Sequence, residues 1–145
     1  MCGIAGGLFF KTQKGNDIKK AVDIMSATMK NRGPDSYGYW DDPQSQLALG
    51  HRRLAILDLN SRSDQPMVST CGRYVIVFNG EIYNYQQLKN ELEIQGQTFK
   101  TSGDTEVILK LFYLEKEKML DRLRGMFSIV IWDSVDKTFF MAIED

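Results

Sequence analysis

The sequence predicts an α+β domain in which sheet packs on sheet and helices lie outside. Three observations carry this. The segments Tyr74-Val75-Ile76-Val77-Phe78 and Met126-Phe127-Ser128-Ile129-Val130-Ile131-Trp132 read as strands without polar alternation, so both faces of their sheet are covered. Thr105–Leu114 has the length of a helix but is apolar nearly all round, so it too is buried or nearly so. The strands at 126–132 and 138–143 are separated only by Asp133–Lys137, a hairpin loop that makes them antiparallel neighbours. Few helices, hairpin-linked strands and doubly covered sheets together give layered packing.

The elements follow in order. Residues 3–10 form a strand whose glycines permit close backbone approach. Ile18, Ala21, Val22, Met25 and Met29 keep helical spacing, which predicts an amphipathic helix over about 17–30. Asn31-Arg32-Gly33-Pro34-Asp35-Ser36 ends it. Short strands are predicted at 37–41, 46–50 and 53–58, then a polar turn at 60–65. Arg73–Phe78 is a strong strand. Tyr83–Gln95 is a helix with Tyr85, Leu88 and Leu92 on one side, and Thr105–Leu114 is the buried helix. Strands at 126–132 and 138–143 close the chain.

Composition narrows the function classes. The chain has 145 residues, is 43% hydrophobic and 26% charged, and carries a net charge of −1. That is an ordinary globular balance in one domain or part of one, 1–145, with no electrostatic case for nucleic acid or an anionic membrane. No apolar run approaches a bilayer span, and the N-terminus lacks the charged and cleavage regions of a signal peptide. Cys2 and Cys71 are the only cysteines and His51 the only histidine. They make neither a disulfide framework nor a zinc site, and the expected location is the cytoplasm.

Cys2 stands directly behind Met1 and before Gly3. Removal of Met1 would leave a thiol beside its own α-amine, whose pKa of about 7.7–8.0 keeps part of it unprotonated near neutrality. Such an amine serves as general base to the thiol, so the cysteine needs no histidine partner. The alternative is a small apolar side chain in a first strand.

Other segments are as open when taken singly. Asn79-Gly80 follows the strand Arg73–Phe78 and leads into a helix. It offers a side-chain amide and a backbone N–H near one point, an oxyanion site worth about 2.7–4 kcal/mol per donor, or simply a glycine turn with a capping asparagine. One arginine of Arg52-Arg53 can grip a carboxylate with its fork or be a solvated charge. Asp104, in Ser102-Gly103-Asp104-Thr105-Glu106, can receive an ammonium or cap the helix. Cys71 sits in a turn and has no assigned chemistry.

Read in order, MCGIAG, NRGPDSYGYW, LGHRRLAILDL, DQPM, VFNGEIYNYQQLKNEL, SGDTEVIL and LRGMFSIVIWD resemble the glutaminase domain of the glutamine-hydrolysing asparagine synthetase family, a class II glutamine amidotransferase. The match runs over essentially the whole sequence. FNGEIYN with RGPD favours this branch over other class II amidotransferases.

The resemblance implies an N-terminal nucleophile (Ntn) hydrolase αββα sandwich: two stacked antiparallel sheets between helical layers. It implies Cys2 as nucleophile and Asn79 and Gly80 as oxyanion donors. It assigns the substrate carboxylate to Arg53 and the ammonium to Asp104 with Glu81 nearby. Ile56 and Leu57 line the glutamine pocket through their backbone, and Arg32 orders the loop behind the nucleophile. The implied reaction takes L-glutamine to glutamate and ammonia through a thioester. The ammonia passes to a synthetase domain or subunit that uses ATP and Mg. No cofactor or metal is expected in this domain, and a homodimer stays open. The family pattern continues beyond Met141-Ala142-Ile143-Glu144-Asp145, with arginine usual where Glu144 stands, so the resemblance predicts a C-terminally truncated sandwich. A truncated or degenerate relative that binds glutamine or a partner without turnover is the alternative.

Overall fold

The computed structural model describes residues 2–9, 15–55 and 61–144. A three-stranded antiparallel sheet has the order β1 (Gly3–Leu8), β3 (Leu47–Arg53), β2 (Ser36–Asp42). A four-stranded antiparallel sheet has the order β4 (Met67–Val68), β5 (Tyr74–Ile82), β6 (Gly125–Asp133), β7 (Thr138–Glu144). Helix α1 (Gly15–Thr28) covers the first sheet, with Ile18 and Val22 against Ala48. Helices α2 (Tyr85–Ile94) and α3 (Asp104–Glu115) cover the second. No described helix is long and apolar enough to cross a membrane.

Why these strands read as apolar throughout is now evident. Val75, Val77 and Trp132 face Leu47 and Leu49 between the sheets, whereas Tyr74, Ile76, Ile129 and Ile131 face the helices. Each fully buried aliphatic side chain contributes about 1.5–3 kcal/mol, and β5 and β6 do so on both faces. Helix α3 is packed on nearly every side, with Val107, Ile108, Leu109 and Leu111 all buried. Its start is fixed by Glu106, whose carboxylate accepts the Thr101 N–H and the Thr101 hydroxyl, both at 2.8 Å. An acid in the first turn also suits the helix dipole. The narrower first sheet leaves part of the inner face of the second uncovered, so Met126, Met141 and Ile143 are exposed.

Two expectations are corrected. The separate strands predicted at 46–50 and 53–58 are one strand as far as Arg53, and 56–60 lie outside the described residues. His51 and Arg53 are polar, yet both are buried. Residues 47, 49, 51 and 53 share one face by the two-residue repeat of a strand. The strand at 73–78 continues through Asn79-Gly80-Glu81 to Ile82, paired with β6 throughout. The turn into α2 comes afterwards. The two-residue β4 and a 3₁₀ turn at Lys116–Arg122 have no strong pattern in the sequence.

His51 joins the two sheets. It is 1% exposed, and its Nε2 donates to the Phe78 carbonyl at 3.1 Å; this acceptor fixes the tautomer. Burial pushes its pKa down to about 4, against about 6.5 in the unfolded chain. Between those values the unfolded state binds the extra proton, so acidification from pH 6.5 to 4 withdraws up to about 3 kcal/mol of stability. His51→Gln keeps a donor to Phe78 without the titration. Urea midpoints should fall less steeply over this window in the variant; an unchanged slope would remove His51 as the cause.

Candidate active site

The site is built where strands of both sheets end together. Cys2 immediately precedes β1, and Gly3 pairs with Arg52, so Cys2 lies opposite the end of β3. Its Sγ accepts the Leu54 N–H at 3.4 Å and lies 3.8 Å from the Leu54 carbonyl. Alternation sets the directions of the side chains. Ile4 on β1, Leu49 on β3 and Val77 on β5 face the space between the sheets. Cys2, Arg53 and Asn79, each an even number of residues away, share those faces and converge on one cavity.

Arg53 is buried, and its Nη1 donates to Asp64 at 2.9 Å. Asp64 also accepts the Ser36 hydroxyl at 3.0 Å. The segment after the end of β3 is anchored by the predicted break after α1: Asp35 accepts the Ala55 N–H at 2.8 Å and donates its own N–H to the Arg53 carbonyl at 3.0 Å. Arg32 is exposed, and the part of this loop it would order beyond Ala55 lies outside the described residues.

Asp104 opens α3 with Gly103 as its N-cap. Its Oδ2 accepts the Ile82 N–H at 3.1 Å. Burial raises the Asp104 pKa, partly offset by the backbone N–H groups it accepts, and the nearby Glu81 charge raises it further. A buried acid in that condition gains from a cationic partner.

These groups line one cavity of about 250 Å³, with Cys2, Arg53, Asn79, Gly80, Glu81 and Asp104 in its wall. The size suits an amino acid better than a larger ligand. Among the described residues nothing hydrogen-bonds the Asn79 side-chain amide. Ile56 and Leu57 lie outside the described residues. A larger cleft of about 580 Å³ opens on the far side of Thr101 but gathers none of the predicted site residues. Cys71 at its rim is exposed, with its sulfur 3.3 Å from the Ser69 hydroxyl. The smaller cavity is the one in which a thiol, a guanidinium, a carboxyl and amide donors meet. Asp64 and Gln65 have no role in the sequence reading, although both fall within DQPM.

A family model described as a glutamine amidotransferase domain matches residues 1–144. The chain belongs to that family. The domain is of the class II type found in asparagine synthetases. It is 40% identical to asparagine synthetase [glutamine-hydrolyzing] 1 of Bacillus subtilis over 98% of its length, covering 22% of that protein. It is 40% identical to asparagine synthetase B of Escherichia coli over 92% of its length, covering 23% of that protein. The domain thus spans less than a quarter of these curated relatives. Among solved structures, the allosteric regulatory enzyme of purine biosynthesis superposes with a TM-score of 0.58 at 27% identity, covering 69% of this chain and 24% of that one. Glutamine phosphoribosylpyrophosphate amidotransferase from B. subtilis gives 0.58 at 28%, covering 69% and 23%. The fold is the Ntn-type αββα sandwich, as the resemblance implied.

Proposed function

We propose that this domain, residues 1–145, hydrolyses L-glutamine to glutamate and ammonia through a thioester on Cys2. The observation that supports this best is the meeting of Cys2, Arg53, Asn79, Gly80 and Asp104 on one cavity. In this reading Met1 is removed and the freed α-amine takes the thiol proton. The thiolate attacks the side-chain amide carbon. The oxyanion is received by the Gly80 N–H and the Asn79 amide, aimed where charge develops. Collapse breaks the carbon–nitrogen bond, the amine returns its proton to the leaving nitrogen, and ammonia departs. Water, deprotonated by the same amine, then attacks the thioester, and glutamate is released with the thiol restored.

Arg53 takes the substrate carboxylate while Asp64 holds one of its nitrogens; a guanidinium has five N–H donors to divide. Asp104 takes the substrate ammonium, with Glu81 at the rim, and Ile56 and Leu57 add backbone contacts. The ammonia passes to an ATP- and Mg-dependent synthetase domain or subunit, in the cytoplasm, that amidates aspartate. No cofactor or metal takes part in the glutaminase half.

The test is incubation of the purified chain with glutamine. Equal release of glutamate and ammonia supports the reading; glutamine binding without release replaces it with a binding role. Asp104→Asn adds a second check. It removes a charge-assisted contact of about 1.5–3 kcal/mol, so KM should rise about 10- to 100-fold with a smaller change in kcat. Because the Asp104 pKa is raised, kcat/KM should fall on acidification at a pH above the ordinary carboxylate range. In the variant that limb should be absent, and its persistence would assign it elsewhere.

A further inference from the structure

We infer that Gln65 is a positioning residue for the oxyanion donors, a role that rests on the glutaminase reading above. Strand β4 is only two residues long and pairs with β5 at Ile76 and Val75. Beyond it, no described strand lies opposite that edge of β5. Alternate residues of a strand point their amides to the same side. Tyr83 donates to the Arg124 carbonyl on the β6 side at 2.7 Å, so the N–H groups of Phe78, Gly80 and Ile82 point to the open edge.

Side chains occupy the two outer positions. Gln65 Oε1 accepts the Phe78 N–H at 2.6 Å, and Asp104 Oδ2 accepts the Ile82 N–H at 3.1 Å. The Gly80 N–H lies between them on that edge, and Gly80 is part of the cavity wall. Gln65 is 6% exposed, and its Nε2 donates to the Thr105 hydroxyl at 3.3 Å, next to Asp104. His51 meanwhile donates to the Phe78 carbonyl. Both backbone groups of the residue just before Asn79-Gly80 are therefore held by side chains where no described strand pairs with β5. A glutamine suits this place because one uncharged side chain must accept from a buried amide and donate to a hydroxyl. Without it the Phe78 N–H is buried and unpaired, and the peptide has reason to rotate. Rotation there carries the next two residues with it. Oxyanion donors tolerate little displacement, since a misplacement of about 1 Å costs about 10²-fold.

The role predicts a loss in kcat alone. Gln65→Met keeps the volume and removes both bonds; kcat should fall about 10- to 100-fold, with KM within about threefold because Arg53 and Asp104 stay in place. Gln65→Asn keeps the amide but is one methylene too short, and should show the same split if the methionine variant folds poorly. Thr105→Val removes only the Nε2 acceptor and should leave kcat within about threefold. Exchange of the Phe78 amide, read by hydrogen–deuterium exchange, should accelerate in Gln65→Met and not in Thr105→Val. Unchanged kcat in both Gln65 variants, or a rise in KM with kcat intact, overturns the positioning role while leaving the glutaminase reading in place. A parent chain that does not hydrolyse glutamine overturns that reading and this role with it, whatever the Phe78 exchange shows.

Discussion

Cys2→Ala should abolish glutamine hydrolysis, by at least about 10⁴-fold in kcat, while glutamine affinity stays within a few-fold of the parent. The thioester cannot form without the sulfur, and the oxyanion donors have no tetrahedral adduct to receive. The binding groups belong to other elements: Arg53 ends β3 and Asp104 begins α3. The structural cost is small, because among the described residues the polar contacts of the thiol are two long ones with Leu54, at 3.4 and 3.8 Å. Cys2→Ser should be nearly as inactive, since an alcohol is a far weaker acid than a thiol and the α-amine is a weak base. The same mechanism predicts that blocking the amine, by acetylation or by retention of Met1, stops turnover with Cys2 intact, because an amide has no basicity to lend. Glutamate release measures the turnover and calorimetric titration with glutamine the binding. Residual hydrolysis within tenfold of the parent in Cys2→Ala would remove Cys2 from the mechanism. Loss of binding along with turnover would show instead that the thiol is needed to form the pocket.

The sequence revealed the layers more readily than the ends of the strands. Continuous apolar runs at 74–78 and 126–132 are a direct consequence of burial on both faces, and no competing pattern obscures them. The site lies where that signal stops. His51, Arg53 and Gln65 are polar residues in the interior, and composition alone places such residues at the surface. The period of two through Leu47, Leu49, His51 and Arg53 was the available clue to a single strand. Asn79-Gly80 misled for a related reason: in isolation the pair signals a turn, but here the strand continues because β6 remains opposite as far as Gly125. Pairing between residues some fifty positions apart leaves no local trace. The same holds for Gln65, whose partners Phe78 and Thr105 belong to different elements. Arg53 and Asp104 entered through resemblance, because an arginine at a strand end and an aspartate at a helix start each have a common structural use.

Gly80→Ala should cost both stability and catalysis, and the steric argument is independent of any functional reading. A Cβ at this position would stand 2.2 Å from the Met126 carbonyl oxygen and 2.6 Å from the Phe127 Cα, with φ at +154°. These are backbone atoms of the paired strand and have no rotamer by which to move aside. Strand β6 must separate from β5 locally, or the Gly80 peptide must turn. The flanking amides resist the turn, since Phe78 is held by Gln65 and Ile82 by Asp104. Backbone strain of this kind costs about 1–3 kcal/mol, and separating the strands adds lost ladder bonds. In the proposed reaction the displaced N–H is an oxyanion donor, and losing one costs about 10²- to 10³-fold in kcat. Gly72→Ala is the control: its φ is +75°, but nothing lies within 4 Å of the added carbon, so it carries the conformational cost without the collision, in a turn remote from the cavity. Thermal melts should rank parent, Gly72→Ala and Gly80→Ala in falling order, with kcat lost only in the last. Parental kcat in Gly80→Ala would mean that the Gly80 N–H does not carry the oxyanion. Parental stability in the same variant would mean that the strands do not approach as closely as the packing of β5 on β6 requires.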